Sequence, residues 1–209
     1  MEYYIWDVPV FVAEPTESPN VDAPEFCSMA ENTLPAHLLN NVDVVYIGNF
    51  SDLGDKNAAY TMGGIYMTNQ EATNFDMLEN FVHEVAHSLE ITHASYLYSQ
   101  DNDLVDEFRG KRKRLSHLLS AQGYHISPRL YSFVEYNKKF DNFLANEVGY
   151  PTLLSLTMGL FCSPYGATSI QEYFANGFEK YFLDSPRAVR DISPVLYRKI
   201  KEIINDDEA

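Results

Sequence analysis

The spacing of apolar residues changes at residue 74. Met77, Leu78, Phe81, Val82, Val85, Ala86 and Leu89 recur at three- and four-residue intervals and form one stripe, so the spacing predicts a helix with Asn74 as its N-cap. Upstream, the pattern is that of strands. YYIWDVPVFVAE alternates and is rich in aromatic and β-branched residues, VDVVYIG (42–48) is a short apolar run closed by Gly48, and GGIYMTN (63–69) follows a turn. ENTLPAHLLNN has room for a short helix between the first two. Downstream, helices are expected over 103–121, 129–146, 168–183 and 194–204, with Ser193 and Pro194 as a cap and first-turn pair. Strands first and helices afterwards give an α+β chain, a small mixed sheet followed by a mainly helical region. It is read as a single domain over 1–209: mostly strands to 73, a site helix over 74–93, helical insertion over 95–160, and a second site helix over 163–183.

The formal net charge of −15 argues against nucleic acid or an anionic membrane as the main partner. The one basic run, RGKRKR (109–114), reads as a solvated helix face. No apolar stretch reaches membrane length, and the N-terminus lacks the basic and small-residue features of a signal peptide. The two cysteines, Cys27 and Cys162, have no metal-type spacing. Together these favour an intracellular setting over a secreted one; the oligomeric state is left open.

The predicted helix over 74–93 carries FVHEVAHSLE. His83 and His87 stand four apart and therefore one turn apart on the same face. Two imidazoles so placed can hold one Zn²⁺ at roughly 2.0–2.1 Å each. Glu84 lies about 100° around the helix from His83, where it is suited to act as general base on a water activated by the metal.

A third protein ligand is then needed, with a fourth position left to water. Glu90 lies seven residues from His83, about 10.5 Å along the helix axis, too far for three ligands on one straight helix, and is expected to stand behind the ligands or simply to be polar. HEVAHSLEITH also places His93 at the third-histidine position of the metzincin pattern, with Glu90 where that pattern has glycine. If the helix continues, His93 lies about 15 Å of rise beyond His83, which makes it a lesser candidate. Glu172 is the preferred third ligand. It sits early in an aromatic segment with Ile170, Tyr173, Phe174 and Phe178, where a carboxylate needs a partner.

H-E-x-x-H in one helix followed by E-[FY]-F-A in a second resembles the gluzincin metallopeptidases, in particular the anthrax lethal factor catalytic domain and the Pro-Pro endopeptidases. The resemblance covers roughly 40–95 and 160–183. It implies a zincin-like domain with one Zn²⁺ per chain on His83, His87 and Glu172, and peptide hydrolysis with Glu84 as base. In that family a tyrosine precedes the glutamate ligand by seven residues. Tyr165 holds that position and would donate to the oxyanion. The family often has a second glutamate four residues after the ligand; this chain has Asn176. Its enzymes pair an extended peptide or protein substrate with an edge strand, a place the resemblance gives to Gly63, Gly64, Ile65 and Tyr66; on the residues alone GGIYMTN reads equally as a plain sheet strand with a glycine turn. Two rival readings remain: a catalytically silent zinc-binding interaction module, and a zinc hydrolase of a non-peptide amide.

Overall fold

The structure, a computed structural model, describes residues 2–206. The chain is α+β and divides into two compact units, one made of the described residues up to His93 and the other of Ala94–Asp206.

The first unit is built on a five-stranded mixed sheet of β1 (Glu2–Ile5), β2 (Val8–Val12), β3 (Val44–Gly48), β4 (Ala58–Thr61) and β5 (Gly64–Thr68), in the order β1-β2-β3-β5-β4. The three inner strands are parallel; β1 and β4 run antiparallel at the edges. Alternation decides the faces. Ile5, Val10, Val45, Ile47, Ile65 and Met67 are fully buried on one side. On the other, Phe11, Tyr46 and Tyr66 stack in a row across three strands, with ring centroids 5.8 and 5.2 Å apart.

YYIWDVPVFVAE is a hairpin rather than one strand. Trp6 turns it in the left-handed region (φ 53°), held by its indole N–H on Leu34 O at 3.0 Å. In this unit, helix α1 (Ala23–Thr33) and strand β4 lie outside the elements expected from the sequence. Phe26 of α1 meets Phe81 of α2 (Asn74–Tyr98) edge to face at 5.7 Å, joining the two helices through the core.

The N-cap of α2 is Thr73, not Asn74. Thr73 Oγ1 accepts from Asp76 N at 3.1 Å and donates to the Asp76 carboxylate at 2.8 Å. Asn74 instead ties the start of α2 to that of α1, accepting from Asp22 N at 2.8 Å and donating to Glu25 at 2.7 Å.

The second unit holds α3 (Asp103–Ala121), α4 (Lys138–Asn142), a π-helical turn (Phe143–Gly149), α5 (Tyr150–Thr157), α6 (Ile170–Leu183), α7 (Pro186–Ile192) and α8 (Pro194–Asn205). The single helix expected over 129–146 is broken into a 3-10 turn, a loop and α4. Phe108, Phe140, Phe143, Tyr173, Phe174 and Phe178 form its aromatic centre. α6 and α8 approach so closely at Gly177 that a Cβ there would lie 2.2 Å from Leu196 Cδ2.

Ser193 makes no side-chain cap on α8; Glu107 of α3 takes that role. Its carboxylate accepts from Val195 N (2.9 Å), Leu196 N (3.1 Å) and the Tyr173 hydroxyl (2.8 Å). The basic run is only partly a solvated face. Lys111 and Arg112 are buried, and Lys111 donates to Leu160 O and Ile192 O, each at 2.6 Å. Among the described residues, no helix is long and apolar enough to cross a membrane.

Candidate metal centre

Helix α2 buries Val82, Val85, Ala86 and Leu89, which leaves His83 and His87 half-buried on an adjoining face. Their ring centroids are 5.0 Å apart and the rings are crossed at 76°. His87 Nδ1 lies 3.0 Å from Glu90 Oε1. In a neutral imidazole, a proton on Nδ1 would donate to this carboxylate and leave the Nε2 lone pair for a metal. Glu90 is thus in contact with a histidine of the same helix. Glu84 is buried, and its Oε2 accepts from the Tyr60 backbone N–H at 2.7 Å, a donor on edge strand β4.

In the second unit, Glu172 stands in the first turn of α6. Ser169 caps that helix by accepting from Glu172 N at 3.1 Å. Just before it, Tyr165 opens the 3-10 turn Tyr165–Ala167, whose exit is pinned by Thr168 Oγ1 donating to Tyr165 O at 2.8 Å. Burial, then the charges of Glu172 and Asp141, push the Tyr165 phenol far above its ordinary value, so it is a neutral hydroxyl and a donor. Asn176 has a role beside these two residues. Its Nδ2 donates to Glu172 O at 2.8 Å, and its Oδ1 accepts from Ser163 Oγ, which in turn accepts from Gly166 N at 3.3 Å. It therefore links the helix carrying Glu172 to the turn carrying Tyr165.

His83, His87 and Glu172 form a group that could hold a metal ion: one ligand atom from each lies within 4.8 Å of the others. No family model matches the chain, and neither the curated proteins nor the solved structures give a match. The donor chemistry is therefore the guide. Two imidazole nitrogens and a carboxylate oxygen suit zinc, and the same set also suits ferrous iron. His93 is not in the group. Helix α2 runs on to Tyr98 without the turn that would bring His93 back.

The substrate strand needs correcting. β5 is paired on both sides, with β3 and with β4, so the main chain of Gly64, Ile65 and Tyr66 has no open edge. Ile65 is core, and Tyr66 belongs to the aromatic row. Gly63 serves the β4–β5 turn: its φ is +82°, and a Cβ would lie 2.1 Å from Asp43 Oδ2. The edge is β4, whose sequence AAYT carries little strand signal.

Sequence reasoning also missed two phenols near Glu172, Tyr136 and Tyr150, and the Asp141 carboxylate that acts on both. Tyr136 donates to Asp141 at 3.0 Å, and the carboxylates of Asp141 and Glu172 both raise the phenols of Tyr136 and Tyr150, behind burial as the main cause. Their spacing in the chain has no helical period that could have flagged them.

Proposed function

We propose that the chain is a zinc-dependent endopeptidase of gluzincin type, with His83, His87 and Glu172 holding the ion and Glu84 as general base. The observation that carries this reading is the convergence of those three donor atoms, two of them on the helix that also bears Glu84. A Zn²⁺ bound there supplies a Lewis acid that acidifies water and polarises a carbonyl.

The remaining chemistry falls to the chain's own residues. Tyr60 N–H anchors one oxygen of Glu84 and so fixes the direction of the other, which takes the proton from the attacking water and passes it to the leaving amine. Tyr165, held neutral, donates to the oxyanion of the tetrahedral intermediate. An extended peptide pairs with β4, the sheet edge next to β5. Glu90 holds His87 in its ligating tautomer. A general base anchored by a backbone amide, together with a neutral phenol seven residues before a ligand, supports hydrolysis over a silent binding role.

The test is Glu84→Gln in zinc-loaded protein against an equimolar peptide library, with cleavage read by mass spectrometry. The variant is expected to keep its metal and lose turnover by about 10²–10⁴-fold. Equal cleavage by variant and wild type would contradict the mechanism. Cleavage of non-peptide amides but of no peptide would move the substrate class to those amides.

A further inference from the structure

Arg112 is fully buried, yet among the described residues no carboxylate pairs with it, and its Nε–H has no acceptor. A charge buried this way is costly unless its hydrogen bonds are well used. Its hydrogen bonds go to main-chain carbonyls, and its guanidinium lies against aromatic rings. Nη1 donates to Ala167 O at 2.6 Å and Thr168 O at 3.1 Å, and Nη2 donates to Leu130 O at 2.8 Å. The guanidinium carbon lies 3.9 Å from the centroid of Phe140 and 5.3 Å from that of Phe108.

The carbonyls chosen are telling. Ala167 ends the turn that Tyr165 opens, and Thr168 precedes Ser169, the residue that caps the helix bearing Glu172. Leu130 belongs to the 3-10 turn Pro128–Tyr131. Four residues on, Val134 O accepts from Ile170 N at 2.7 Å, at the first residue of α6. One planar fork therefore fixes the short segment between Tyr165 and Glu172 from one side, and the strand of loop bracing it from the other. Asn176 closes the same segment through Ser163 and Gly166.

We infer that Arg112 is a positioning residue: a buried fork that sets the backbone from Tyr165 to Glu172, and with it the distance from hydroxyl donor to metal ligand. The catalytic part of this inference rests on the function proposed above; the positional part does not.

The experiment uses the full zinc-loaded chain as wild type, Arg112→Met, Arg112→Lys, Tyr165→Phe and the Arg112→Met/Tyr165→Phe double variant. Amide hydrogen exchange is followed over 164–172 and over the rest of the second unit, beside kcat and KM on the best-cleaved library peptide. Arg112→Met is expected to lose protection selectively over 164–172 while keeping its metal. Its kcat should fall about 10²-fold at nearly constant KM, because the donor is misplaced rather than removed. Tyr165→Phe should then cost the double variant little more. Arg112→Lys, which keeps the charge but reaches fewer carbonyls, should fall between and shows the effect if the methionine variant does not fold.

Protection unchanged over 164–172, or lost evenly across the unit, overturns the inference. So do additive losses in kcat. A wild type that binds zinc but cleaves no peptide, with the selective loss of protection intact, would remove the proposed function and leave Arg112's hold on the segment standing.

Discussion

His87 Nδ1 and Glu90 Oε1 lie 3.0 Å apart on consecutive turns of α2. A carboxylate at this distance favours the tautomer with its proton on Nδ1 and stiffens the ring, which would aim the other nitrogen at an ion. Glu90→Gln is therefore expected to leave the fold intact and weaken zinc binding by about 10–100-fold. Competition with a chromophoric chelator measures this, and equal affinity would show that the pair has no bearing on the metal.

Gly63 should tolerate no side chain. At φ +82° an alanine is strained, and its Cβ would lie 2.1 Å from Asp43 Oδ2. Gly63→Ala is expected to cost about 1–3 kcal/mol in urea unfolding. Asp43→Ala in the same background should recover only the steric part, because the backbone strain remains. A Gly63→Ala variant as stable as wild type would contradict the assignment of this glycine to the turn.

Glu107 caps α8 from another helix and also accepts from Tyr173, a fully buried phenol. Glu107→Ala removes the cap and strands that hydroxyl, which together should cost about 2–4 kcal/mol. Amide exchange should quicken first at Val195 and Leu196. A loss confined to a few tenths of a kcal/mol would mean that water replaces the carboxylate.

Cys27 sets an alkaline limit. Burial first, and the charge of Glu31 second, push its thiol from 9.0 up to about 11. An acid whose pKa is raised on folding binds its proton more tightly in the native state. Its contribution is fully present below about pH 9 and is lost as pH rises through about 11. Stability should fall across that window, and Cys27→Ala should flatten the fall. At neutral pH, iodoacetamide should reach Cys27 only when the chain unfolds.

Where side-chain period and punctuation agree, the sequence alone locates the element. The 103–121 helix is reproduced residue for residue, and 194–204 is short by one. β4 escapes because AAYT is short and has little strand character, whereas α1 does carry a helix start, with Asp22 accepting from Glu25 N and a proline in the first turn. Caps were misassigned where a partner distant in sequence decides them: Glu107 serves α8, and Asn74 serves α1. The basic run did hold a usable signal. Lys111 and Arg112 fall on the stripe of Leu104, Phe108, Leu115 and Leu119, so helical spacing marks them as inward-facing despite their charge.

The site divides the same way. His83, Glu84, His87 and Glu90 lie within eight residues of one helix, where geometry follows from spacing alone. Glu172 stands out as a carboxylate within an aromatic helix, a choice the family resemblance then supports, whereas Tyr165 comes through the resemblance alone. The anchor of Glu84 on Tyr60 and the fork of Arg112 depend on tertiary contacts that no spacing encodes.

The most direct measurement is the metal content of protein purified without chelators or a histidine tag, beside Glu172→Ala. About one zinc per chain in the wild type, falling sharply in the variant, is the predicted result. No zinc in the wild type even after zinc is added back, or undiminished zinc in Glu172→Ala, would contradict a centre built on His83, His87 and Glu172.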